Sequence, residues 1–274
     1  MAPLSLTSTQ FVFSGESLLL GPIFALLVQA LVAAHSLFAR RRSLFYGAFI
    51  VLVLLRLLDV ILNFYFSSLD EETFYSVYFL QIIVEWIAGN ILPILNLTRL
   101  HAVCMRSKPN TVRALAVCTA ACLCLHNISC IWYLVNLASG SSLKGNDLIY
   151  AAWSCCDAIV NTSISIVFVM FLESVVGKAH SNQKSLHRTL YNVKFLLASD
   201  VAIIVASDVL QLAAPTVDPL WIVYFFAEAY RVCMLSRFLI LLNQIMQRKQ
   251  PVPSALISSH IGGKVPISRT VSRR

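Results

Sequence analysis

Long apolar runs broken by short polar segments set the pattern of this chain. Seven runs stand out, at 18–39, 44–66, 75–98, 114–137, 148–176, 191–213 and 220–242. Each has the ~20 residues that a helix needs to cross a hydrocarbon core of about 30 Å. Their ends are marked: Arg40, Arg41 and Arg42 close the first, and Asp70, Glu71 and Glu72 follow the second. A Gly/Ser-rich turn follows the fourth, Pro215 and Pro219 flank the gap after the sixth, and Arg248, Lys249 and Pro251 stop the seventh. The fifth run is longer than a crossing requires, which predicts a tilt or a projection into the cytoplasmic side. The pattern predicts an all-α polytopic membrane protein, a bundle of seven transmembrane helices over 18–249. Residues 1–17 form an N-terminal segment outside the membrane, and 250–274 a basic tail read as disordered. Residues 1–17 carry no Lys or Arg, so they lack the basic start of a cleaved signal peptide, and the first run is expected to remain as a helix.

Charge placement orients the bundle. Seventeen of the 21 Lys and Arg residues fall in the loops after runs one, three and five and in the tail. The opposite side holds only Lys144. Cytoplasmic loops are the ones enriched in Lys and Arg, so the N-terminus is predicted outside and the C-terminus in the cytoplasm.

Composition agrees with a chain in lipid: 58% of residues are hydrophobic and 12% charged, and the mean hydropathy is +0.76. The net charge of +8 would point to nucleic acid in a soluble domain, but here it is gathered at one membrane face, so no nucleic-acid partner is expected. The eight cysteines lie almost wholly inside apolar runs and are read as packing residues. Cys130 lies at the same depth as Cys155 and Cys156, so a disulfide to one of them is the alternative to free packing thiols. Asn96, Asn127 and Asn161 head glycosylation-type triplets, but at the cytoplasmic edge or inside the membrane, so these are read as chance matches. His126 is the one deep histidine and has no His partner at metal-ligand spacing; no metal, no cofactor and no enzymatic activity are expected. Of Trp86, Trp132, Trp153 and Trp221, two lie near the outer boundary, where aromatic anchors belong.

The chemistry of interest lies within the runs. Arg56 and Asp59 are three residues apart and share a helix face, and Asn63 continues the stripe. Glu228 and Arg231 repeat the spacing in the last run. At 1.5 Å of rise per residue, Arg56 and Arg231 fall near the bilayer centre. Asp59, Glu85 and Glu228 lie roughly 3–6 Å toward the outside, Asp157 and Asp208 roughly 7–9 Å, and Asp200 slightly to the cytoplasmic side. Charged residues at such depths are costly and mark pathways, sites or pairs. Six acids face two arginines, and a guanidinium neutralises about one carboxylate each, so the layer has surplus acid. The residues Arg56, Asp59, Glu85, Asp157, Asp200, Asp208, Glu228 and Arg231 are therefore the candidates for a ligand or proton site. An outward-opening vestibule of this kind suits a cationic or zwitterionic ligand or a proton relay. Neutral, hydrogen-bonded acids cementing the helices are the structural alternative. Pro93 is expected to kink the third helix below Glu85 and free carbonyls toward a cavity.

Outside the layer, Arg99 ends the third run and is a candidate for coupling to a cytoplasmic signalling partner. The tail is suited to anionic lipids, and Ser272, three residues after Arg269, is a candidate phosphorylation site. Seven helices with an outer N-terminus is a topology shared by G-protein-coupled receptors, retinal proteins and some transporters. Their local marks are missing: no lysine lies deep in run seven, no Asn-Pro-x-x-Tyr follows it, and run six has no proline. The leading expectation is a receptor-like sensor that binds a small ligand in the outer half of the bundle. The alternatives are a proton- or cation-coupled transporter or channel, and a non-catalytic membrane adaptor. The location expected is the plasma membrane or an endomembrane.

Overall fold

The computed structural model describes residues 6–65, 71–139, 146–177, 184–213 and 222–248, all of them in helices or the short turns that join them. Seven helices follow one another: α1 (Leu6–Arg40), α2 (Leu44–Tyr65), α3 (Glu71–Cys104), α4 (Pro109–Ser139), α5 (Asn146–Gly177), α6 (Lys184–Ala213) and α7 (Ile222–Arg248). The described part of the chain is all-helical. Among the described residues five helices, α1 to α5, contain segments long and apolar enough to cross a membrane. α6 and α7 are equally continuous but more polar. α6 carries Lys184, Arg188, Lys194, Asp200 and Asp208, and α7 carries Glu228, Arg231 and Arg237.

Several helices outrun their apolar cores. α1 starts at Leu6, twelve residues before the predicted run, and its 35 residues make a rod of ~52 Å. α3 continues through Pro93 to Cys104, so Arg99 lies inside the helix and not in the loop after it. The ends have local causes. Ser43 Oγ accepts the Tyr46 N–H at 3.5 Å and caps the start of α2. The Cys104 carbonyl accepts from the N–H of Ser107 and of Lys108, closing the turn into α4, whose first residue is Pro109. Proline suits that position because the first helical N–H has no intrahelical partner.

The helices form a closed ring in chain order, with α1 packed against α7. Two contacts cross the ring: α3 meets α5 behind α4, and α2 meets α7 behind α1. α6 touches only α5 and α7 among the described residues. Three apolar clusters surround the centre. One gathers Ala30, Ala34, Phe49, Leu52, Leu92 and Leu235 from α1, α2, α3 and α7, and a second joins Ile23, Leu27, Val60, Phe225 and Ala229. The third lies between α3, α4, α5, α6 and α7 around Leu100, Ile164, Phe168, Val193 and Phe238. Small residues at the α1–α7 contact let the two backbones approach closely, as in helix pairs that associate in lipid.

Burial is inverted relative to a water-soluble protein. Arg56, Asp59, Asp157 and Glu228 are buried, whereas Val32, Leu54, Ile61, Ile87, Val117, Ile128, Ile159, Phe195 and Val209 are exposed. An apolar outer wall around buried charge is what a bilayer requires.

Candidate functional site

The four central charges of α2 and α7 form one continuous ion-pair chain. Arg56 Nη1 donates to Asp59 Oδ2 at 3.3 Å, and Arg56 Nη2 to Glu228 Oε2 at 2.6 Å. The other Glu228 oxygen, Oε1, accepts from Arg231 Nη1 at 2.7 Å. Arg231 Nη2 reaches across to Asp157 Oδ2 on α5 at 2.7 Å. Neutral amides extend both ends. Gln81 on α3 donates to Asp59 Oδ1 at 3.2 Å, and Asn161 on α5 donates to Asp157 Oδ1 at 2.7 Å. Asn96 on α3 then donates to Asn161 Oδ1 at 2.8 Å. The chain thus runs from α3 through α2, α7 and α5 and back to α3, stitching together the helices that meet across the ring.

Both i, i+3 spacings close as intrahelical pairs. Each arginine also holds a carboxylate on another helix, which gives the pairs their tertiary role. Three acids, Asp59, Asp157 and Glu228, have both carboxylate oxygens occupied. Removing one partner of such a pair leaves a charge buried without compensation.

The remaining candidates have other surroundings. Glu85 on α3 accepts two phenol hydroxyls at one oxygen, from Tyr150 of α5 at 3.1 Å and Tyr224 of α7 at 3.2 Å. Asp208 on α6 accepts the Ser154 hydroxyl of α5 at 2.7 Å. Asp200 keeps Oδ1 buried without a hydrogen-bond partner among the described residues. Asn63, next on the Arg56 stripe, lies in the last turns of α2.

A cleft of about 20 Å³ opens beside the ion-pair chain, between α2, α3, α5, α6 and α7. A water needs roughly 10–15 Å³ by this measure, so as it stands the cleft takes a group of only a few heavy atoms. Its lining combines the charged Arg56, Asp157, Asp208, Glu228 and Arg231 with the apolar Leu92, Pro93, Ile204 and Ala227. Pro93 thus belongs to the cleft wall, inside an unbroken α3. Trp153 and Ser207 also line it, exposed by only 5% and 2%, and Trp153 Nε1–H and Ser207 Oγ have no partner among the described residues. Trp153 is fixed from behind by His126 of α4, whose ring stacks on it at 4.2 Å between centroids. His126 in turn is seated over Gly89 of α3: a Cβ there would lie 2.9 Å from His126 Cε1 and closer still to Nε2. Glycine is required at that point for α3 and α4 to approach.

Tyr150, Trp153, Ser154, Ser207 and Tyr224 were not among the sequence candidates. Three carried a signal: Trp153 stands four residues and Ser154 three before Asp157, and Tyr224 four before Glu228, on the same helix faces. Ser207 and the His126 support have no such mark.

Arg99 is set apart from the cleft. It is buried, with its guanidinium carbon 4.7 Å from the Phe168 ring centroid and 5.2 Å from that of Phe238. Its Nε has no hydrogen-bond partner among the described residues. The three asparagines of the glycosylation-type triplets face protein: Asn96 and Asn161 bond each other, and Asn127 bonds Trp86 and Asn90. All eight cysteines are free thiols; Cys130 lies 3.7 Å from His126 Nδ1. Ser272 and the tail at 250–274 lie outside the described residues.

Comparison with protein-family models, with curated proteins and with solved structures returns no match to this chain.

Proposed function

We propose that the chain is a receptor-like sensor: a seven-span integral membrane protein, N-terminus outside and C-terminus cytoplasmic, that binds a small ligand in the central cleft. The observation that carries this reading is a pair of buried donors, Trp153 Nε1–H and Ser207 Oγ–H, which belong to residues of the cleft lining and have no acceptor among the described residues. Polar groups that serve only to cement helices are satisfied by one another, as those of Asp59, Glu228 and Asp157 are. Two unsatisfied donors on a cleft wall favour a ligand over pure adhesion. α6 and α7 complete the span count in this reading. Their charges are accommodated because α7 is almost wholly enclosed and α6 turns Ser207 inward.

Signal transmission fits the placement of Arg99. Its guanidinium lies between Phe168 of α5 and Phe238 of α7, so a ligand that shifts either helix changes the surroundings of a cation on α3. In reconstituted full-length protein, a small-molecule screen by thermal shift should find a ligand that raises the unfolding midpoint. Trp153→Phe should weaken that ligand about 5–13-fold, as expected for one lost hydrogen bond of about 1–1.5 kcal/mol. Arg99→Ala should spare ligand binding and abolish the response of a signalling readout. Loss of binding in Arg99→Ala, or a midpoint that no compound moves, would sink the sensor.

One observation favours a second reading, proton or cation transport. Glu85 holds two tyrosine hydroxyls and no cation, beside the ion-pair chain. In proteoliposomes under a proton gradient, a transporter would show flux that Glu85→Gln abolishes.

A further inference from the structure

The cleft lining is specific enough to name a ligand class, an inference that rests on the sensor reading above. Three carboxylates line it. Glu228 and Asp157 are committed to Arg56 and Arg231, but the one hydrogen-bond partner of Asp208 among the described residues is a neutral hydroxyl, that of Ser154. The unpartnered groups nearby are of the opposite kind: Trp153 Nε1–H can only donate, and Ser207 offers its hydroxyl.

We infer that the cleft selects a small organic cation bearing a neutral acceptor oxygen, its ammonium seated on Asp208 and its oxygen on the Trp153 and Ser207 donors. A second negative charge on the ligand is disfavoured. The ion-pair chain already sets three carboxylates, Asp59, Glu228 and Asp157, against two guanidinium groups. A ligand carboxylate would enter beside that excess, and buried like charges repel. The class is therefore that of an amino alcohol or amino ketone, and not of an amino acid.

The same geometry supplies a response. Ser154 and Asp208 join α5 to α6, and an ammonium group on Asp208 competes with the Ser154 hydroxyl for the carboxylate. The backbone of α6 comes close only to those of α5 and α7 among the described residues. Elsewhere along its length α6 is tied by Ser199 to Tyr230 and by the exposed pair of Lys194 with Glu173. Binding at Asp208 thus exchanges one α5–α6 tie for a ligand contact, and the small cleft widens by movement of the least enclosed helix.

The test uses full-length protein in nanodiscs and four probes of matched size: ethanolamine, glycine, ethylene glycol and glycolate. Ethanolamine at millimolar concentration should raise the thermal midpoint while the other three leave it unchanged. Asp208→Asn should weaken ethanolamine at least tenfold. Ser154→Ala, which removes the competitor, should tighten it several-fold, a gain that damage to folding cannot produce. Binding of glycine or glycolate as strong as that of ethanolamine overturns the inference, and so does an undiminished response in Asp208→Asn. A screening hit that Trp153→Phe weakens and Asp208→Asn does not would overturn the cation assignment and leave the sensor standing. Silence of all four probes, together with an empty screen, overturns both.

Discussion

Both oxygens of Glu228 are taken by arginines, one on α2 and one on its own helix, whereas Asp59 holds Arg56 through a single longer contact. The two acids therefore differ in consequence. Glu228→Gln leaves two buried guanidinium groups short of charge and should cost about 3–5 kcal/mol of bundle stability. Asp59→Asn keeps Arg56 paired with Glu228 and should cost less. Unfolding in mixed detergent–SDS micelles measures both, and an equal loss would contradict the bridging role of Glu228. Gly89 yields a different kind of prediction. A methyl there meets His126, which is backed by the Trp153 ring, so Gly89→Ala should destabilise by about 1–3 kcal/mol through overpacking. Adding His126→Ala should relieve much of that loss; strict additivity would show that the two residues do not oppose each other. At this scale the sequence exposes what lies along one helix. Arg56 with Asp59 and Glu228 with Arg231 are visible from spacing alone. That Arg56 reaches Glu228 across 172 residues, or that Glu85 meets two tyrosines, depends on helix rotation, which an almost uniformly apolar run does not encode.

Among elements, α6 and α7 present a contrast. Both are more polar on average than α1 to α5, yet α7 is the most enclosed helix of the bundle, while α6 shows Tyr191, Phe195, Val205 and Val209 outward. Polarity in α7 is matched by partners on α2 and α5. Polarity in α6 is met by single contacts at separate points along its length. Backbone amides of α6 should therefore exchange hydrogen faster than those of α7, since local opening follows the density of buried contacts. Comparable protection in the two helices would remove α6 as the moving part. The Lys194–Glu173 pair at one end of α6 is half exposed and should contribute no more than ~1 kcal/mol. The seven apolar runs in the sequence match the seven helices in order, and what they left open was length. α1 and α3 extend well past their apolar stretches because Thr, Gln, Glu and Arg at the ends suit a helix as well as they suit a loop.

For the whole molecule, ring closure by α1 against α7 and the crossing contacts of α2 with α7 and α3 with α5 come from the fold alone. Adjacent runs can be expected to neighbour one another, but nothing in an apolar pattern says that first and last helices meet. That closure has a consequence for synthesis. Arg56 leaves the ribosome long before Glu228, and at 5–20 residues per second the 172 intervening residues take roughly 10–30 s. During that interval Asp59 is the one acid of α2 within reach, so the helix enters the bilayer carrying its own counter-charge. α7 carries an internal pair of the same spacing, Glu228 with Arg231. The internal pair of α2 thus acts as a chaperone in miniature, holding Arg56 quiet until Glu228 arrives. Asp59→Asn should therefore lower the membrane integration of α2 tested as a single segment by more than it weakens the assembled bundle, and an integration assay on the isolated helix reads the difference.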